Sequence, residues 1–314
     1  MKTGQDPSRW LCRTLDRRAT YAVPVSEFDG LPVLTDPVAV AAFEGWNDAA
    51  DAATAAVEHL EEVWQARPVA ELDPDEYYDF QVTRPMISMS EEGGRRIDWP
   101  TTRFSVCRPA GTERDVVLIR GIEPNIRWRA FCEDVLEVCH SLAVDRLVLL
   151  GALLADVPYT RPLPVSGSSS DESLSERLGL TQTRYEGPTG IVGVLHDAAS
   201  KAELSVISFW AHVPHYVSEP PCPKATLSLL HRVEDALDLP VPMGDLTEDA
   251  AEWQERVDGL TKQDADIAEY VRALEQRADD VGVEPLTGED IAREFEKYLR
   301  RRGGGPTAGG PAAS

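Results

Sequence analysis

Nearly continuous apolar runs of strand length constrain the fold of this chain most. Residues 38–43, 115–121 and 146–151 are such runs, and an amphipathic helical pattern follows each of the first two. A strand that is apolar at successive positions is buried on both faces, which is typical of parallel sheets covered by crossover helices. The pattern predicts an α/β fold, a three-layer α/β/α core with a mostly parallel sheet.

The rest of the chain divides by composition and periodicity. Strands and helices alternate through about residue 240, which predicts a core domain over residues 37–243. A polar, proline-punctuated arm (1–36) precedes this core, a helical segment (244–302) follows it, and a Gly-rich tail (303–314) ends the chain. Within the core we predict short β-segments at 77–83 and 103–108, helices at 171–178, 190–199 and 224–237, a strand at 204–211, and a loop at 156–170.

The charge of the chain excludes some classes of partner. Its formal net charge is −23 over 314 residues, whereas nucleic acids and anionic membranes are bound through clustered Lys and Arg. We therefore expect neither as a partner. No apolar run approaches the ~20 residues of a membrane-spanning helix, and the first residues lack the apolar core of a signal peptide. These features, with five scattered cysteines, predict a cytoplasmic protein with reduced thiols.

A heptad pattern distinguishes the C-terminal segment. Apolar residues alternate there in steps of four and three, as in a coiled-coil seam. Asp264 is the one polar member, and we expect it near solvent or facing an Arg because burying an unpaired carboxylate is costly. The segment either folds back on its own core or projects and contacts another chain. The seam comprises Leu246, Ala250, Trp253, Val257, Leu260, Asp264, Ile267, Val271, Leu274, Ala278 and Val281. The candidate residues of an interaction helix are Trp253, Val257, Leu260, Ile267, Val271 and Leu274.

Polar residues follow several predicted strands at the point where each strand ends. The carboxyl ends of parallel strands meet at one sheet edge, the usual place for a ligand crevice in open α/β folds. Such a cluster would bind a small ligand or perform acid–base chemistry. In the alternative interpretation, the same residues cap helices, pair with nearby charges and shape turns. The candidate crevice residues are Trp46, Asn47, Asp48, Glu123, Asp156, Arg161, His215 and Tyr216.

The sequence contains no strong catalytic or metal-binding motif. It lacks a Walker loop, an HExxH pair and a GxSxG elbow, and the glycines at 187–193 have the wrong spacing for a dinucleotide fingerprint. His212, His215 and Cys222 are of types that bind zinc, but no carboxylate or cysteine pair stands at ligand spacing. We predict no metal and no cofactor.

Four ordered motifs resemble a known family. They are FEGWNDA (43–49), GALLADVP (151–158), YEGPTGI (185–191) and WAHVPHY (210–216). Together they resemble the proteasome assembly chaperone 2 family, and more narrowly its actinobacterial branch, over residues 37–280. Tyr159 stands where this branch is expected to have histidine.

The resemblance carries expectations about structure and function. It implies a fold similar to phosphorylases and peptidyl hydrolases, formation of homo-oligomers, and no established catalytic residues to carry over. We expect a trimer. Eukaryotic and archaeal relatives are associated with proteasome assembly. We therefore predict a non-catalytic, oligomeric interaction or assembly-chaperone-like protein with a proteasome-related or other complex as partner. The alternative is a small-molecule binding protein or enzyme that uses the crevice.

Overall fold

The computed structural model describes residues 30–90, 93–180 and 185–280. Most of the predicted arm, the last part of the predicted helical segment (281–302) and the tail at 303–314 lie outside these residues. Within the described ranges, strands and helices alternate over much of the core as the sequence predicts, but four strands follow one another between residues 86 and 122.

A seven-stranded sheet forms the middle layer. With the two strands of a separate hairpin included, the described strands are β1 (Val38–Glu44), β2 (Arg67–Glu71), β3 (Met86–Met89), β4 (Arg95–Asp98), β5 (Arg103–Cys107), β6 (Val116–Ile122), β7 (Arg146–Ala155), β8 (Val165–Ser169) and β9 (Ser205–Pro214). Their order in the sheet is β2-β5-β6-β1-β7-β9-β8, and β3 pairs separately with β4. The central strands β6, β1, β7 and β9 are parallel, β5 and β8 run antiparallel to them, and the edge strand β2 pairs antiparallel with β5.

Helices cover both faces of this sheet. They are α1 (Ala52–Val63), α2 (Pro74–Tyr77), α3 (Trp128–Ser141), α4 (Glu172–Leu178), α5 (Ile191–Lys201), α6 (Pro223–Leu237), α7 (Leu246–Thr261) and α8 (Ala265–Asp280). In β1, Val38 and Val40 belong to the hydrophobic cluster formed with α1, α6 and α7, whereas Ala39 and Ala41 belong to the cluster formed with α3 and α5. Because successive side chains of a strand point to opposite faces, an all-apolar strand supplies both clusters. The predicted three-layer α/β fold is confirmed.

The C-terminal heptad segment is two helices rather than one. Lys262, Gln263 and Asp264 separate α7 from α8. The exposed Asp264 carboxylate accepts hydrogen bonds from the backbone N–H of Asp266 (3.0 Å) and Ile267 (3.2 Å), as helix-capping residues do. The polar misfit in the seam therefore marks a helix start, and it lies near solvent as predicted.

The apolar face of these two helices is directed at the chain's own core. Trp253, Val257 and Val271 belong to the same cluster as α1 and α6, Ile267 packs against that cluster, and Leu274 is buried. Leu260 differs, because it is 60% exposed. This geometry favours the alternative in which the segment folds back on its own core.

Two local predictions are wrong. Residues 77–83 are not a β-segment: α2 ends at Tyr77, and the Asp79 carbonyl accepts from the N–H groups of Val82 and Thr83 in a turn. Asp73 caps α2 and Pro74 begins it, a start signal that outweighs the β-propensity of the tyrosines. Residues 156–170 are not only a loop, since they contain β8. In addition, the sequence pattern did not indicate the strands β2, β3 and β4.

Candidate functional site at the carboxyl ends of the parallel strands

Asp48 holds the turn that follows β1. Its side chain is 4% exposed and accepts hydrogen bonds from Ala53 N (2.6 Å), from Thr54 N (3.2 Å) and from the Thr54 hydroxyl. Burial raises the pKa of Asp48 to about 6, against the opposing effect of these hydrogen bonds. Asp48 therefore satisfies the free N–H groups at the start of α1, which is a structural role.

The backbone of this turn is strained and well anchored. Ala50 and Asp51 both adopt left-handed conformations, with φ of 54° and 55°, which cost about 1–2 kcal/mol per non-glycine residue. Cys222 N donates to the carbonyl of Ala50 (3.3 Å), and Ala152 N donates to the carbonyl of Asn47 (2.8 Å). These bonds join the turn to the start of α6 and to β7.

Asn47 and Glu123 connect the end of β1 with the start of α5. The Glu123 Oε1 atom accepts from Asn47 Nδ2 (2.7 Å) and from Ile191 N (2.9 Å). A carboxylate at a helix N-terminus is stabilised by the helix dipole and by the free N–H groups there. A Cβ atom added at Gly190 would lie 2.3 Å from Asn47 Nδ2, so only glycine permits this close approach. Trp46 lies beside Asn47 and is partly exposed.

A second group lies where β7 and β9 end. The Nδ1 atom of His215 is 3.2 Å from Asp156 Oδ1, close enough for an ion pair when the ring is protonated, although Nδ1 lacks hydrogen-bond geometry within the described structure. The hydroxyl of Tyr270, on α8, donates to the same Asp156 oxygen (2.9 Å). The rings of His215, Tyr216 and Tyr270 pack edge to face, with centroids 5.5–5.7 Å apart. An α8 side chain thus completes this group.

Tyr216 supports the segment that follows β7. Its hydroxyl donates to the carbonyl of Val157 (3.1 Å) and accepts from Tyr159 N (3.0 Å). Burial raises the pKa of Tyr216 to about 12, so the hydroxyl keeps its proton and both bonds persist at neutral pH. Tyr216 therefore orders a loop rather than activating a ligand.

Arg161 and Tyr159 attach the same segment to the C-terminal helices. Arg161 lies 3.1 Å from Asp279 and 3.8 Å from Glu275, both on α8. The Tyr159 hydroxyl donates to Asp258 on α7 (2.6 Å), and its ring meets Trp253 edge to face at 6.4 Å. The alternative interpretation of the sequence has Arg161 paired with a nearby charge. The carboxylates that pair with Arg161 come from α8 and not from a loop.

The histidines considered as metal ligands have separate surroundings. His212 is buried within β9, its Nε2 lies 3.1 Å from the Ser166 hydroxyl, and burial lowers its pKa to about 4. His215 instead faces Asp156 at the strand end. Within residues 30–90, 93–180 and 185–280, no three His, Cys, Asp or Glu side chains are grouped so that they could hold a metal ion.

The contacts therefore divide seven of the eight candidate residues, all except Trp46, into two groups rather than one crevice. Asn47, Asp48 and Glu123 bind the starts of α1 and α5, and Asp156, Arg161, His215 and Tyr216 bind each other or α8. Two cavities of about 570 and 250 Å³ are lined by other residues, one between α4 and the end of α6 and one beside β6 and Trp99.

Sequence reasoning missed the residues that α7 and α8 contribute. Tyr270, Asp258, Glu275 and Asp279 lie more than 95 positions from the residues they contact. Only Tyr159 carried a signal, as the position at which the resemblance expects histidine. The polar pattern of the α7 and α8 surfaces does not indicate which carboxylate faces the sheet.

These observations define a three-layer α/β protein whose strand-end polar residues bind other parts of the same chain. Residues 42–261 match the PAC2 family, and the chain belongs to this family. A search of curated proteins gave no match. Among the described residues, no helix is long and apolar enough to cross a membrane.

Solved structures of actinobacterial proteins resemble the chain. A PAC2 family protein from Streptomyces avermitilis is 56% identical, with a TM-score of 0.72 over 75% of this chain and 100% of the other. A proteasome-assembly chaperone homologue from Mycobacterium tuberculosis is 53% identical, with a TM-score of 0.69 over 74% of this chain and 99% of the other. The archaeal proteasome activator PbaB from Pyrococcus furiosus shares the fold, at 17% identity and a TM-score of 0.60 over 73% of this chain and 95% of PbaB.

Proposed function

We propose that this chain is a non-catalytic, oligomeric protein-interaction factor of the assembly-chaperone type, and that a proteasome-related complex is its partner. The observation that carries the proposal is its similarity to the mycobacterial proteasome-assembly chaperone homologue, which spans nearly all of that protein. An assembly factor works by presenting a surface, so it needs no reactive group at a pocket.

The contacts of the strand-end residues support this proposal. A catalytic carboxylate needs access to a substrate, but Asp48 is enclosed by the first turn of α1, and Glu123 is engaged by Asn47 and the start of α5. These groups give rigidity to the turns at one end of the sheet. A rigid end of a sheet is a suitable platform for protein binding, because little order is lost when a partner binds.

The proposal has three further parts. The chain associates with itself, with three copies as the expected number. It acts in the cytoplasm. Its strongly acidic surface, with a net charge of −23, favours a partner that offers basic surface and disfavours nucleic acid and anionic membrane.

An assembly assay with purified proteasome subunits of the same cells tests the proposal. Separately purified α and β subunits are mixed with and without the chain, and half-proteasomes and complete particles are followed over time by native gel electrophoresis. The chain is expected to bind an assembly intermediate and to raise the rate at which complete particles form. Identical time courses and no bound intermediate would refute the proposal.

A single substitution distinguishes assembly-chaperone activity from the binding of a ligand or a reaction at the strand-end crevice. His215→Ala removes the ring that faces Asp156 while leaving the core clusters intact. Under the proposal this variant assembles particles at the rate of the unmodified chain, provided that its thermal unfolding is unchanged. A loss of assembly activity with unchanged folding would instead implicate a ligand or reaction at that edge.

A further inference from the structure

The hairpin formed by β3 and β4 is the most exposed apolar part of the described chain. Among the strands that the structure describes, these two pair with each other and with no third strand, and neither hydrophobic cluster includes any of their residues. Large apolar side chains that are 47–71% exposed lie on the hairpin or directly beside it. They are Val82, Met86, Ile87, Met89, Ile97 and Trp99.

Such a hairpin is weakly stable unless another surface covers it. A two-stranded hairpin in water is marginal, and three or more strands or a packed face are needed for independent stability. Ile87 and Ile97 face each other across the two strands, yet both are at least half exposed. Each of the large apolar side chains on or beside the hairpin exposes on the order of 100 Å² of surface area. Together they offer most of the roughly 800 Å² that each partner buries in a standard interface.

Within the described residues, no strand pairs with the outer edge of β3. β3 is the sequence Met-Ile-Ser-Met at residues 86–89, with no charge and no proline. Soluble proteins usually protect an edge strand with charges, proline or a bulge, because its free N–H and C=O groups otherwise pair with another strand. β4 has this protection, since Arg95, Arg96 and Asp98 lie on it. Of the two hairpin strands, β3 therefore has the less protected edge.

Charge permits a second copy of this chain as the occupant of this edge. The chain repels itself over most of its surface, because its net charge is −23. Between residues 84 and 90 the only charged side chain is Arg84, so the two β3 strands bring no acidic side chains of their own together. Asp98, on β4, accepts a hydrogen bond from the Ser88 hydroxyl (2.8 Å). Antiparallel pairing of identical strands about a two-fold axis is self-complementary, and it is the simplest geometry for identical copies.

We propose that β3 of one copy pairs antiparallel with β3 of a second copy, which joins the two hairpins into a four-stranded sheet across a two-fold axis. The pairing satisfies the free backbone groups of β3, and the apolar side chains beside it become covered. This interface joins copies in pairs, so a trimer built on a different surface becomes an assembly of six. The proposal concerns self-association alone and holds whether or not the partner is proteasome-related.

Light scattering of paired surface variants tests the interface. Ile87→Glu places a charge near the proposed axis, and Leu260→Glu makes the same change at a similarly exposed residue, 60% against 64%, at the end of α7. Both side chains lie outside the hydrophobic clusters, so both variants are expected to fold, which circular dichroism checks. The wild type and Leu260→Glu should have the mass of an even number of 34.5 kDa chains, and Ile87→Glu should have half that mass.

A crosslinking measurement provides a second readout. In Ile87→Cys a short bis-maleimide should join two copies efficiently, whereas Val33→Cys, fully exposed and outside the hairpin, should react like the wild type. A monomeric wild type would overturn the inference. So would an Ile87→Glu protein with the wild-type mass, or a Leu260→Glu protein that alone dissociates. If Ile87→Glu has the mass of the wild type but no longer co-purifies with a different protein, the hairpin binds that protein and the self-pairing is refuted.

Discussion

The buried carboxylate of Asp48 makes the stability of this protein depend on pH in a defined direction. Burial raises its pKa to about 6 in the folded protein, from an ordinary value of 3.8. The folded state therefore binds this proton more tightly than the unfolded state, and the stabilisation from protonation is lost as pH rises through 6. Linkage between these two pKa values gives a loss of about 1 kcal/mol between pH 5 and pH 7.

The comparison of the wild type with Asp48→Asn isolates this effect. The asparagine carries no titrating group, yet its amide oxygen can still accept from Ala53 N. Urea unfolding of both proteins at pH 5, 6 and 7 gives a free-energy difference at each pH, and groups that titrate equally in both proteins cancel. The wild type should lose about 1 kcal/mol relative to Asp48→Asn between pH 5 and 7. A difference that stays constant, or that favours the wild type as pH rises, would refute the burial of Asp48 beneath α1.

Packing in the C-terminal helices and in the α5 turn gives two further predictions. Trp253→Ala removes a side chain from the main hydrophobic cluster and should lower the free energy of unfolding by about 3–5 kcal/mol. Leu260→Ala should change this free energy by about 0.5 kcal/mol or less. Equal effects of the two substitutions in urea unfolding would contradict the docking of α7. Gly190→Ala should destabilise the protein by about 1–3 kcal/mol, because the new Cβ meets Asn47. Gly259→Ala, in open space on α7, should instead stabilise the protein by up to about 1 kcal/mol. A Gly190→Ala protein of unchanged melting temperature would rule out the close contact between position 190 and Asn47.

The core layers were predictable because their periodicity is strong. Residues 38–43 are apolar at every position, and this pattern is compatible only with burial on both sides of a sheet. The positions of the helices followed from the same reasoning, since α1, α3, α5 and α6 all begin within three residues of turn or capping signals. These features depend on short stretches of sequence, which is why they can be read from the chain.

The hairpin and the break in the heptad segment were not predictable in the same way. In β3, Met86, Ile87 and Met89 are apolar yet exposed, so no alternation marks which face is buried. The heptad steps continue through Asp264 because α7 and α8 both pack on the same core, and a turn between them does not interrupt the spacing. The acidic residue was a helix-start signal as well as a misfit.

The candidate site was predictable in its location but not in its contacts. The polar residues do follow strands β1, β6, β7 and β9. Whether Asp156 faces a ligand or Tyr270 depends on where α8 docks, and that contact spans 114 residues of sequence. Long-range pairing of side chains of this kind leaves no periodic signal in a single sequence.

Affinity purification of the tagged chain from its own cells, at native expression and under gentle conditions, tests the central claim most directly. Quantitative mass spectrometry of the eluate measures the amount of each co-purifying protein relative to the chain. If the chain is an assembly-type interaction protein, proteasome subunits should be recovered in stoichiometric amounts, together with untagged copies of the chain. Recovery of the tagged chain alone, with no stoichiometric protein partner, would contradict the account.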